Sequence, residues 1–386
     1  MADNLGFINR LLAASTRGVE SIESTAEGIR GMVNLAQEEL AKRRHERVET
    51  LLADALALSA DIDDPVTQGI VLISCGMYSA GQGMIEEAEE DFASAFELFA
   101  PAGDTSRCGE VMIESAYAKL CIGDTEEALF MFREVRDVAV ANKDDFLSQA
   151  SLHGAALVHA ITGNLRQASA ILAQLRCLVE DDWARRRGKR GRTAAATEGT
   201  SQSSLVVMEA LEAYIAAARG DGHSALRAVS RSSLRLSRST PLRFSSGLFL
   251  QLAADACFVI LEYGMLPSGL EPRRKIVRAA QMLMQTLARF AEVFDLMVPL
   301  YQLGRARWNF LLARDEAAEM SLESGLLTSE EHFNFPYAEG LLLLHSTRLQ
   351  CLPLRERKAR ARRGRSMLAR MRARLIPSDD LDREEG

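Results

Sequence analysis

The feature that most restricts what this chain can fold into is a register that repeats every 40 residues. Gly76, Ala116 and Ala156 coincide, and so do Gly83, Gly123 and Gly163 seven residues later. Ala88, Ala128 and Ala168 follow, then Phe92, Phe132 and Leu172, then Ala95, Val135 and Leu175; upstream, Leu72, Met112 and Leu152 align. Positions 72, 76 and 80 share one face of a helix, because side chains four apart stack along its axis. Gly83 ends that helix, having no Cβ to oppose a left-handed backbone. Positions 88, 92 and 95 then make the apolar stripe of a second helix, and the small residues at 76 and 88 let the two helices approach closely. Asp124 with Glu127, and Asn164 with Gln167, have capping-box spacing at the start of that second helix. The unit is a helix hairpin. Such hairpins must stack, since one alone cannot bury its apolar stripe.

The register extends outward. Upstream, Met32, Ala36, Leu40, Val48, Leu52 and Ala55 fit, with Arg43 in place of the glycine. Downstream, Ala213, Gly220, Ala225 and Val229 repeat it after an insertion, then Cys257, Gly264, Ala280, Met284 and Leu287, then Ala306, Ala313, Ala318, Leu322 and Gly325. A final pair, roughly 337–351 and 355–375, is helical in composition but lacks the small-residue signature, as expected where one face has no neighbour. The spacing predicts an all-α, right-handed solenoid of about seven antiparallel hairpins. A helical lead-in occupies 1–30 and repeats one to four occupy 31–182. Residues 183–204 read as a flexible basic, low-complexity insertion. Repeats five to seven then span 205–351, a basic capping helix 352–376, and an acidic, disordered tail 377–386.

Composition agrees with helices. Aromatic residues make up 6% of the chain and there are 9 prolines, which disfavours a sandwich or barrel. The formal net charge of −7 argues against nucleic-acid binding by the molecule as a whole. The charge is uneven, with 16 acids against 5 bases over 84–145, and 10 bases against one acid over 355–374. Six dispersed cysteines in apolar helical contexts read as buried thiols in a reducing compartment, no secretory signal is legible, and no apolar run reaches a membrane span. A cytoplasmic protein is expected.

Small residues at unit positions 8 and 20, a large apolar one at 24 and a small one at 27 make the core pattern of the tetratricopeptide repeat. Gly76, Ala88, Phe92 and Ala95 match it, and Pro101 falls near the end of the unit. The chain therefore resembles a tetratricopeptide-like superhelix with a long step, 40 rather than 34. The aromatic near position 4 is replaced by Leu72, Met112 and Leu152. Gly304-Arg305-Ala306-Arg307-Trp308 also resembles segments in the arrays of maltose-regulator-type signal-transduction ATPases. The resemblance implies a concave surface lined by first helices, and its positions carry over to Ser74, Met77, Glu114, Tyr117, His153, Tyr214 and Arg307.

Motifs for chemistry are missing. No phosphate-binding loop, dinucleotide fingerprint, nucleophile elbow or H-E-x-x-H helix occurs. His153 and His159, six apart, lie on different helix faces and suit no shared metal. The sequence thus predicts no enzyme, no cofactor and no metal. It predicts a protein- or peptide-binding scaffold or sensor module in a signalling or transcription-regulatory system. The basic helix, with Arg355, Lys358, Arg362 and Arg365, suits an acidic partner. A nucleic-acid-associated repeat protein using this helix and the basic insertion is the alternative, weakened by the absence of interleaved aromatics. Nothing in the sequence sets the oligomeric state.

Overall fold

The structure, a computed structural model, describes residues 20–188, 194–237, 243–266, 268–331 and 335–371. Among these residues it is all-helical: sixteen α-helices, one 3-10 turn at Asp295–Met297, and no strand. The helices are α1 Glu20–Ala41, α2 His45–Ala60, α3 Pro65–Gly81, α4 Ile85–Phe99, α5 Thr105–Cys121, α6 Thr125–Asn142, α7 Asp145–Ile161, α8 Leu165–Gly188, α9 Ala194–Ala218, α10 Gly222–Leu236, α11 Phe244–Glu262, α12 Leu270–Ala291, α13 Val298–Leu311, α14 Asp315–Glu331, α15 Pro336–Ser346 and α16 Leu354–Arg370. Sequence neighbours pack as the hairpins α1–α2, α3–α4, α7–α8, α9–α10, α11–α12, α13–α14 and α15–α16, the all-α solenoid that the repeat predicts.

The repeat register is a packing register. Ala88, Ala128 and Ala168 are buried, as are Phe92, Phe132 and Leu172, and Ala95, Val135 and Leu175. A Cβ added at Gly76 would lie 2.7 Å from the Phe92 ring and 3.1 Å from the Ala88 carbonyl. That is why the small residue on the first helix coincides with a large one on the second. A glycine also admits a large ring between successive hairpins: a Cβ added at Gly154 of α7 would strike Phe132 of the preceding helix α6 at 2.2 Å. Starts follow the sequence too: the Asp124 carboxylate accepts from the Glu127 N–H at 3.1 Å, capping α6.

The hairpin turns share one backbone solution. Gly83, Gly123, Gly163, Gly220 and Gly264 have φ of 83°, 90°, 72°, 77° and 62°; at the same register position Arg43 and Ala313 have φ of 63° and 53°. The turn geometry is imposed by the stack, so these two residues accept a left-handed conformation that costs them roughly 1–2 kcal/mol. Ala313→Gly is accordingly expected to stabilise the protein by about 0.5 kcal/mol, the strain removed outweighing the extra freedom of glycine when unfolded. Gly123→Ala should do the opposite, because its Cβ would also meet Met371 Cγ at 3.0 Å. Urea midpoints of both variants check the pair of signs; a lower midpoint for Ala313→Gly would refute the strain.

The chain divides into two compact units, residues 1–115 and 116–386. In the first, Ile29, Met32 and Val33 of α1 pack with Ala55 of α2 and Val71 of α3, flanked by Leu51, Leu58, Ile70 and Cys75. In the second, the first helices α7, α9, α11, α13 and α15 each touch the next and form a continuous layer. Helix α11 is long and apolar enough to cross a membrane by composition, but 89% of its most apolar window is buried. It packs on α9, α10, α12 and α13 as a core helix. The second unit also joins its two ends: Thr125 at the start of α6 donates its hydroxyl to the Met371 carbonyl at 3.0 Å.

The stretch 183–204, expected to be a flexible insertion, is largely absorbed into helices. Helix α8 continues to Gly188 and α9 begins at Ala194, leaving 189–193 outside the described residues. Alanine, glutamate and arginine sustain helix there whatever their low complexity. The lead-in also differs, since residues 20–30 are the first part of α1 rather than a separate element. Residues 1–19 and the acidic tail 377–386 lie outside the described residues.

Candidate functional site

The seven residues carried over as concave-surface positions fall on first helices, but their surroundings differ. In the first unit Ser74 and Met77 of α3 are half-buried and Glu114 of α5 is buried. In the second unit Tyr117, His153, Tyr214 and Arg307 are 5%, 9%, 4% and 5% exposed, so side chains placed to meet a ligand instead meet other helices.

Two groups form. Tyr117 of α5 stands edge-on to Phe132 at 5.1 Å and to Phe249 of α11 at 6.5 Å, and the His153 ring of α7 lies edge-on to the same Phe249 at 6.4 Å. Burial alone pushes the His153 pKa down to about 4, so the ring is neutral at physiological pH. Such edge-to-face contacts are apolar cement rather than a proton-transfer site.

The second group is ionic and centres on Arg307 of α13. Its Nη1 donates to Asp255 Oδ1 at 2.7 Å, while Nη2 and Nε donate to the two oxygens of Glu262 at 3.0 and 3.2 Å. Gln251 Nε2 donates to Asp255 Oδ1 at 2.9 Å, and Arg348 Nη1 reaches Glu262 Oε1 at 3.2 Å. The guanidinium also lies 4.8 Å over the Phe258 ring. Residues 251, 255, 258 and 262 recur at i, i+4, i+7 and i+11, so one face of α11 builds the whole receptor for one arginine. Nearby, Tyr214 of α9 and Tyr337 of α15 are hydrogen-bonded to each other, and both are buried.

The electrostatics follow from burial set against pairing. Burial raises the Asp255 carboxyl to about 6 although Arg307 and Gln251 favour its charge. Burial also opposes ionisation of Glu262, but the charge and hydrogen bonds of Arg307, with His345 and Arg348, outweigh it and hold that carboxyl at about 2. His345 of α15 is pushed down to about 3 by burial and by the Arg307 charge. Hydrogen-bonded to two carboxylates of one helix, Arg307 joins α11 to α13, and Arg348 brings in the end of α15.

Sequence reading singled out Tyr214 and Arg307 but missed Asp255, Glu262, Gln251, Tyr337 and His345 as their partners. One signal was present: Asp255 is the one charged residue in the stretch 248–261, and a buried acid requires a cation. Its partner, 52 residues away, is not legible from spacing.

On the basic helix α16, Arg355, Lys358 and Arg362 are exposed and fall on one face at i, i+3 and i+7, with half-buried Arg365 continuing the line. Arg360 pairs with Glu323 of α14 and Glu356, and Arg363 with the buried Glu339 of α15. Among the described residues there is no cluster of three histidine, cysteine or acidic side chains suited to a metal, and the six cysteines are unbridged.

No family model matches the chain, and neither does any curated protein sequence. Among solved structures it is similar to one described as a circular tandem repeat protein with novel repeat topology and enhanced subunit contact surfaces. The overlap covers 91% of this chain and 96% of that chain at 13% identity, with a TM-score of 0.28.

Proposed function

We propose that this chain is a non-catalytic helical-repeat scaffold that binds a protein or peptide, of tetratricopeptide-like type, acting in the cytoplasm within a signalling or transcription-regulatory system. The observation that carries the reading is how the second unit disposes of its ionisable and aromatic side chains. Asp255, Glu262 and Arg307 bind first helices to each other, and His345 is buried neutral beside them. Large apolar side chains of this unit are left exposed on a second helix instead, Phe130, Val138 and Val140 on α6, as Phe96 is on α4 of the first unit. Phe130, Glu134 and Val138 follow one another at i, i+4 and i+8, an apolar line interrupted by an acid, which suits a partner segment that is apolar and basic. In the first unit Met77 keeps part of its side chain at the surface.

The test is stoichiometric co-purification followed by measured affinity. Met77→Glu or Phe130→Glu is expected to weaken a co-purifying protein at least ten-fold without lowering the melting temperature, since neither side chain is fully buried. If both variants bind as the parent does, the assigned surfaces are wrong and the scaffold reading loses its support.

One observation favours the alternative, a nucleic-acid-associated role: the exposed line Arg355, Lys358 and Arg362. That reading predicts DNA or RNA binding that falls steeply with salt and is lost in Arg355→Glu/Lys358→Glu/Arg362→Glu.

A further inference from the structure

We propose that the basic line on α16 is a docking strip for the chain's own acidic segment 379–385, which covers it intramolecularly. The bases of α16 are sorted by partner. Arg360 and Arg363 face the body of the unit and are matched by Glu323, Glu356 and Glu339. Arg355, Lys358 and Arg362 are exposed and make no ion pair among the described residues. Like charges at i+3 and i+4 repel along a helix. These bases are also in the wrong half of it: Arg355 and Lys358 sit in or beside the first turn, where the helix dipole favours anions, and only Glu356 supplies one there. An acidic segment laid along this line therefore neutralises two unfavourable terms at once.

The segment that follows has the complementary composition. Asp379, Asp380, Asp382, Glu384 and Glu385 are five acids against the single base Arg383. Leu381 among them is matched by the exposed Leu354 at the first position of α16. Reach is sufficient. From Met371 back to Leu354 the helix spans about 26 Å, and the ten residues from Met371 to Leu381 extend to about 33–36 Å. A short tether holds the segment at roughly millimolar effective concentration. A second copy must instead approach a molecule whose net charge is −7. The intramolecular occupant is thus favoured, and the strip opens to another acidic protein only when the segment is displaced. This goes beyond the scaffold reading and does not depend on which protein the array holds.

Two readouts on the full-length chain test it. The first is anisotropy of a labelled deca-glutamate probe at low salt. Neutralising the segment (Asp379→Asn, Asp380→Asn, Asp382→Asn, Glu384→Gln and Glu385→Gln) is expected to tighten probe binding at least ten-fold. Neutralising Glu86, Glu87, Glu90, Glu126 and Glu127 changes the net charge equally and should alter binding less than two-fold. Arg355→Glu/Lys358→Glu/Arg362→Glu should abolish the gain. The second is zero-length carbodiimide coupling, for which Lys358 is the sole lysine after Lys275. A Lys358 link to a carboxylate of 379–385 is expected in monomeric protein. Equal probe binding with and without the acidic segment, an equal gain from the control set, no such link, or a link found only in cross-linked dimers would each overturn the proposal.

Discussion

Arg307→Met is expected to destabilise the second unit by about 3–5 kcal/mol, the range for removing one partner of a buried ion pair. The side chain is 6% exposed and its two carboxylate partners 8% and 11%, so neither acid regains water when the guanidinium is lost. Asp255, already raised to about 6 by burial, responds by taking up a proton, which caps part of the cost. Glu262 has more to lose, because its carboxyl is held at about 2 mainly against burial by the charge and hydrogen bonds of this one arginine. Arg307→Lys does not rescue: an ammonium cannot reproduce the side-on fork to both Glu262 oxygens while still reaching Asp255. Arg307→Met combined with Asp255→Leu and Glu262→Leu should recover most of the loss, since an apolar set of similar volume removes the buried charges altogether. Both tryptophans, Trp183 and Trp308, lie in the second unit, so tryptophan fluorescence in urea reports on it directly. A loss below about 1 kcal/mol for Arg307→Met would mean that the ionic clasp does not hold α11 to α13.

What the sequence made legible was the local code. The positions at 76, 88, 92 and 95, their repeats, and the glycine at 83 all describe contacts within one hairpin, where the partner is always about a dozen or so residues away and of fixed size. A spacing argument reaches that far. Arg43 and Ala313 could be placed in the turn by register although neither is glycine, and their φ values of 63° and 53° show the register overriding residue preference. The stretch 183–204 was read from composition, and composition misses that helices α8 and α9 extend into it from both sides. The interior site was half legible. Tyr117, His153, Tyr214 and Arg307 were found as first-helix positions, but whether such positions line an open surface or pack against each other depends on how successive hairpins turn. Phe249 meets both Tyr117 and His153 across more than 95 residues of chain, and no repeat pattern encodes that approach.

The same buried groups make the second unit acid-labile in a way that separates histidine from carboxylate. His345 and His153 are lowered from 6.5 to about 3 and about 4, chiefly by burial. Below pH 6.5 the unfolded chain takes up these two protons and the folded chain does not, so each histidine withdraws stability as pH falls. Asp255 works in the other direction: raised to about 6, it binds its proton in the folded state first and returns stability as pH falls from 6 toward 3.8. Between pH 6 and pH 4 two histidines thus oppose one carboxyl. The net difference is one proton, worth about 1.4 kcal/mol per pH unit, or roughly 3 kcal/mol over the interval. His159, also lowered by burial and by Arg133, adds to the loss. Glu262 contributes later: its stabilisation is complete above about pH 4.5 and is lost as pH falls toward 2. The tryptophan-detected urea midpoint is therefore expected to drop from pH 6 to pH 4 and to drop further below it. His345→Leu removes one of the two opposing histidines, leaving His153 and Asp255 to cancel, so its midpoint should fall much less over the same interval. A parent midpoint that is flat or rises between pH 6 and pH 4 would show that these imidazoles are not kept neutral inside the helical layer, and with that the packed interior itself would be in question.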